Sequence, residues 1–225
     1  MRLPAALLAT FALGAAPLPP AVTTAASEVL LPKAGVPFGC GLTFPVSQAH
    51  QMGSHLQHDS WAWDFRMPEG TPVVAAREGV VRLARGDSSS GGCDARYAPF
   101  ANYVVVDHGD GLETQYLHFR EVVVRPGDRV KAGDLLGYSG KTGWACGAHL
   151  HFKVARAAGR SWNNPSVQAW IAGYGDPQVD AQVASPACRT AEASLITRTP
   201  PDVAPEPPAP ASEPAPEPSG APTRI

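Results

Sequence analysis

The chain has 225 residues, a formal net charge of −2 at pH 7 and 17% charged residues. That length suits one domain with a real core plus short terminal segments. The near-neutral balance and the absence of any Lys/Arg block argue against nucleic acid or an anionic membrane surface as the partner.

In chain order, residues 1–26 read as a secretory signal peptide: Arg2 gives a minimal positive start, an apolar stretch runs from Leu3 to Leu18, and small residues surround Thr24-Ala25-Ala26. The stretch is short and proline-interrupted for a membrane span, no cysteine follows it closely, and no later segment is apolar for long enough to cross a bilayer. The protein is therefore expected to be exported, periplasmic or extracellular, with no stable membrane insertion after cleavage. Residues 27–45 read as a lead-in and 46–198 as one domain. Residues 199–225, with ten of the 24 prolines, read as a disordered, proline-rich tail.

Within the domain, short strands are expected at Pro72–Ala76, Gly79–Leu83, Asn102–Asp107, Glu113–Phe119, Leu135–Tyr138 and His149–Val154. Turn signals lie between them at Glu78-Gly79, Gly109-Asp110-Gly111, Pro126-Gly127-Asp128 and Gly133-Asp134, the spacing of an antiparallel all-β domain. One short C-terminal helix is expected over Ser166–Ala172, with Asn164 as N-cap, Pro165 at the first position and Gly173 as the stop. Four cysteines in an exported chain favour two disulfides over a thiolate metal site. Sequence alone allows three connectivities; because Cys40 and Cys188 bracket the domain and Cys93 and Cys146 lie in Gly-rich connections, the favoured pairs are Cys40–Cys188 and Cys93–Cys146.

All seven histidines fall between residues 50 and 151. In the strand from His149 to Val154, alternation places His149, His151 and Lys153 on one face and Leu150, Phe152 and Val154 on the other. Two imidazoles two residues apart on one face can converge on a small target, and neutral imidazole is both a common zinc ligand and a proton carrier near pH 7. An isolated His-x-His is more often a pair of surface residues; the surrounding motifs decide otherwise here.

Those motifs are Ser54-His55 with Trp61-Ala62-Trp63-Asp64-Phe65, Met67 to Val80, Tyr103 to Gly109, Thr114 to Phe119, Gly127 to Gly137, and Ser139-Gly140-Lys141-Thr142-Gly143. Together with His149-Leu150-His151 they closely resemble, in order, the lysostaphin-type (LytM-like) zinc endopeptidases that cut peptidoglycan peptides. The resemblance runs from about Val46 to Val154 and implies a mainly β fold, an antiparallel β-sandwich of the duplicated hybrid motif type. It implies one zinc ion bound by His55, Asp64 and His151, catalytic histidines at His118 and His149, and peptidoglycan peptides as the partner of a monomeric enzyme. On this reading Tyr116 shares a strand face with His118, while Leu117 and Phe119 feed the core.

Many members have His-x-x-x-Asp, which would place Ser60 at the ligand position. A branch with Ser-His and a longer insert fits Ser54-His55 instead, with His58 as the competing ligand. His50 stands where relatives often carry an aromatic residue near the site, and reads as a rim histidine. His108 reads as structural, holding the turn before Gly109.

Two other functions compete. One is a non-catalytic LytM-like module that binds or activates a cell-wall amidase or a division partner; such modules typically lose zinc ligands, and this chain keeps all three. The other is the two-His, one-carboxylate triad of non-haem iron oxygenases, which export and the ordered motifs disfavour. A carrier module is not expected, because the Gly127 to Gly137 hairpin has no lysine at a tight apex.

Overall fold

The computed structural model describes residues 31–159 and 161–187. The expected signal peptide, the proline-rich tail and the Cys40–Cys188 pairing lie outside the described residues.

In chain order the strands are β1 (Lys33–Ala34), β2 (Thr43–Gln48), β3 (Trp63–Arg66), β4 (Pro72–Val74), β5 (Gly79–Arg85), β6 (Gly91–Gly92), β7 (Tyr103–Asp107) and β8 (Leu112–Leu117). They continue with β9 (Phe119–Val122), β10 (Arg129–Val130), β11 (Leu135–Ser139), β12 (Gly143–Trp144), β13 (His149–Arg156), β14 (Trp170–Ile171) and β15 (Gln182–Ala184). Eight of them form an antiparallel sheet in the order β10-β5-β7-β8-β13-β3-β2-β15, and β4, β11 and β9 form a second antiparallel sheet. Two-stranded parallel ladders join β1 to β14 and β6 to β12.

The alternation expected for β13 sets the architecture. Leu150, Phe152 and Val154 enter one core cluster with Trp63 and Phe65 of β3, Tyr116 of β8, and Val73, Phe119 and Leu136 of the smaller sheet. That cluster fills the space between the two sheets. Pairing of Phe152 with Trp63 and of Leu150 with Phe65 fixes the β13–β3 register, and the same register sets His151 beside Asp64. Each large apolar side chain contributes roughly 1.5–3 kcal/mol on burial, so a one-residue slip, which would drive His151 into the core and Phe152 out of it, is strongly disfavoured.

The helix expected over Ser166–Ala172 does not form. Its backbone donors are taken by other segments: Ser166 N–H by His58 O, Val167 N–H by Val154 O, and Trp170 N–H by Pro32 O. Residues Trp170–Ile171 become β14, paired with β1. Asn164 does not cap a helix; its amide donates to Glu113 Oε1 and its carbonyl accepts from Lys153 Nζ. Tertiary partners here outcompete a local cap-and-stop signal, since a seven-residue helix is marginal without packing of its own.

Candidate active site

The polar face of the large sheet carries the cluster. From β13 come His149 and His151, from β3 comes Asp64, and a turn before β3 delivers His55. A register shift between Val46 and Gln48 places a bulge at Ser47, whose hydroxyl donates to Asp64 O; such bulges re-aim side chains beside them.

One ligand atom from each of His55, Asp64 and His151 lies within 4.8 Å of the others, and all three residues are buried. His55 Nε2 is 3.0 Å from Asp64 Oδ1, His151 Nδ1 is 2.9 Å from the same oxygen, and the two ring nitrogens are 3.2 Å apart. Tetrahedral zinc with bonds of about 2.0–2.1 Å would set its ligand atoms roughly 3.3 Å apart. Two nitrogens and one carboxylate oxygen crowding a single point therefore fit a metal ion in spacing and in donor chemistry. His55 is oriented for this by its other nitrogen, which meets Ala49 O at 2.8 Å.

Charge in the cluster is shared. Burial alone would push Asp64 up, but hydrogen bonds from His151 and His55 hold its carboxyl well below the usual range. Burial pulls His151 down, yet the Asp59 and Asp64 carboxylates on either side push it up to about 9. A metal entering here must displace a proton, so acid opposes its binding.

His118 and His149 stand beside this cluster with ring centroids 4.5 Å apart. His118 Nδ1 donates to Thr142 O at 2.7 Å and His149 Nδ1 to Gly147 O at 2.9 Å. In the neutral ring both bonds leave Nε2 as an acceptor. Burial, reinforced by the neighbouring His149 and His151, pulls His118 down to about 3, so it stays neutral well into acid.

His118 does not continue the strand alternation. Its φ of +70° ends β8 and turns Phe119 into β9, so Tyr116 and Phe119 both enter the core cluster and Leu117 does not. A non-glycine residue held there costs of order 1–3 kcal/mol, and its neighbours hold it. The buried Asn102 accepts from His118 N–H and donates to Phe119 O, and Thr142 Oγ1 donates to the same Phe119 oxygen. Asn102 and Thr142 were not among the expected site residues. Nothing in a lone Asn or Thr announces such a role, although Thr142 lies in the Ser139–Gly143 motif.

His58 is exposed in the 3-10 turn Gln57–Asp59 and does not join the cluster; Ser60 Oγ donates to Gln57 O. His50 is partly buried. Its ring packs against Trp61 and Trp63, with Nδ1 3.4 Å from Asp176 Oδ1. His108 ties Glu78 O to Thr114 Oγ1. The loop after β5 is anchored by the Cys93–Cys146 disulfide and by the ladder between β6 and β12, which fixes it against the segment carrying Thr142.

Asp59 was also missed. Its Oδ1 lies 2.6 Å from the buried Lys153 Nζ and 3.5 Å from His151 Nε2. Burial raises this carboxyl, but His151 and Lys153 together hold it below its ordinary value.

Residues 58–165 match the family model described as peptidase family M23. The peptidoglycan DD-endopeptidase ShyA of Vibrio cholerae is 40% identical over 91 residues, 40% of this chain and 19% of that protein. The glycyl-glycine endopeptidase ALE-1 of Staphylococcus capitis is 38% identical over 91 residues, 40% of this chain and 23% of that protein. The chain thus spans about a fifth of the length of the curated relatives it matches. Among solved structures, the catalytic domain of the prophage-encoded M23 protein EnpA from Enterococcus faecalis is 26% identical with a TM-score of 0.44, over 58% of this chain and 94% of that one.

Proposed function

We propose that this chain, whose residues 58–165 form a peptidase family M23 domain, is an exported zinc endopeptidase that hydrolyses peptide bonds of peptidoglycan. The observation that carries the reading is the convergence of His55 Nε2, Asp64 Oδ1 and His151 Nδ1, with His118 and His149 alongside. Relatives named for peptidoglycan and glycyl-glycine endopeptidase activity support the substrate class. The apolar leader and a wall substrate support export, and no helix among the described residues is long and apolar enough to cross a membrane.

His55, Asp64 and His151 would hold the metal. When bound there, zinc supplies a Lewis acid and brings the pKa of a water to about 7. The chain's own residues do the rest. His149 and His118 each have Nδ1 committed to a backbone carbonyl, which leaves Nε2 for the reacting atoms; His149 Nε2 lies 3.8 Å from Asp64 Oδ2 and the His118 ring stands beside it. There Nε2 accepts a proton from the attacking water, and the ring so protonated then donates from Nε2 toward the charge developing on the carbonyl oxygen or passes the proton to the leaving amine. The clamp of Asn102 and Thr142 on residues 118 and 119 keeps one of these rings in place before substrate arrives, so no orientation cost falls on the reaction.

Digestion of purified peptidoglycan, one sample with direct D-amino-acid cross-links and one with glycine bridges, tests the assignment by mass spectrometry of the fragments. Release of cross-link or stem fragments by peptide-bond cleavage in at least one sample is expected. A folded, zinc-loaded protein that cuts neither would favour the non-catalytic module that binds an amidase.

A further inference from the structure

We propose that Asp59 is a positioning residue for His151, fixing the ring so that Nδ1 faces the metal. The inference rests on the reading of His55, Asp64 and His151 as the metal donors.

His151 turns Nδ1 toward Asp64 and leaves Nε2 buried without a hydrogen-bond partner, 3.5 Å from Asp59 Oδ1. A ligating imidazole is normally fixed in tautomer and orientation by an acceptor on its other nitrogen. His55 has that acceptor in Ala49 O; Asp59 is the counterpart for His151. Asp59 is not a passing surface carboxylate, because Lys153 Nζ holds the same Oδ1 at 2.6 Å.

Lys153 has no solvent exposure in its side chain and also donates to Asn163 Oδ1 at 2.6 Å, Asn164 O at 3.0 Å and His58 O at 3.1 Å. Burying a cation costs heavily unless it is fully paired. Here the pairing draws the 57–59 turn and the 163–164 segment together onto β13. His151 and Lys153 project from the same face of that strand two residues apart, so one carboxylate spans both. Lys153 thus fixes Asp59, and Asp59 faces the back of the ligand ring.

The test is the zinc dissociation constant of the full chain, by competition with a chromophoric chelator, beside the melting temperature of the zinc-free protein. Asp59→Asn keeps an oxygen for Lys153 but no charge for His151; it is expected to raise the zinc dissociation constant about 10–100-fold. Its zinc-free melting temperature is expected to fall, because the buried Lys153 loses its anionic partner, so affinity is read where both zinc-free proteins are folded; its Co(II) absorption spectrum should differ, and Asp59→Glu should recover part of the affinity. Affinity of Asp59→Asn within about two-fold of wild type would overturn the inference. So would a loss that Asp59→Glu does not recover, or a Co(II) absorption spectrum identical to wild type. Wild-type protein that binds no zinc would instead overturn the donor set beneath it.

Discussion

Asp64→Ala and His151→Ala are expected to lose both zinc and cleavage, with turnover falling by about a thousand-fold or more, the order that follows from about 4 kcal/mol of Lewis-acid stabilisation. Asp64 is the hub of the cluster: its Oδ1 lies within 3.0 Å of a ring nitrogen from each of His55 and His151. Without it, two neutral nitrogens 3.2 Å apart face each other with no anion to neutralise a dication. Removing His151 leaves one imidazole and one carboxylate, too few for a closed set of three protein donors. His55→Ala should behave like these variants. His58→Ala should behave like wild type, because His58 is exposed and outside the cluster. Metal content by elemental analysis, read beside turnover, separates the two classes.

His118→Ala and His149→Ala should give the opposite pairing of results: zinc content close to wild type, turnover down about 10²–10⁴-fold, the range for loss of a positioned proton-handling group. Neither residue contributes to the group of three donor atoms. Each has Nδ1 tied to a backbone carbonyl, and His149 Nε2 lies 3.8 Å from Asp64 Oδ2, which is the basis for expecting proton transfer rather than coordination from this pair. Substitution of Thr142 or Asn102 should resemble a milder His118→Ala, since both act by holding residues 118 and 119 in place. If His118→Ala loses the metal along with activity, the division between donors and proton carriers must be redrawn.

What was legible in the sequence follows from period and punctuation. The alternation in His149–Val154 already separated a polar from an apolar face, and turn residues marked most strand ends, because those signals are local. The segment from Pro165 to Gly173 misled for the same reason. Its cap and stop describe a helix in isolation, while the backbone partners that claim it come from His58, Val154 and Pro32, all distant in sequence. His118 misled differently: a simple strand pattern assigned it to the face of Tyr116, and only the clamp by Asn102 and Thr142 explains why it sits at positive φ instead.

Five candidate residues could be named because each sits in a recognisable motif, and the structure groups His55, Asp64 and His151 with His118 and His149 beside them. The groups supporting them could not. Asp59 and Lys153 are nearly 100 residues apart in sequence and meet only because β13 pairs with β3 and the 57–59 turn folds over it. Charged residues with no motif read as solvated surface; burial of Lys153 is a tertiary fact. The packing of His50 against Trp61 and Trp63 likewise depends on strand pairing that composition does not reveal.

The most direct test of the central claim is reconstitution. The full chain is stripped of metal with a chelator, shown by circular dichroism to remain folded, and titrated with zinc while cleavage of peptidoglycan cross-link peptides is followed. The account predicts no cleavage by the stripped protein and recovery that saturates at one zinc per chain, with Asp64→Ala failing to recover at any stoichiometry. Undiminished cleavage by the stripped, folded protein, or recovery in Asp64→Ala equal to wild type, would contradict it.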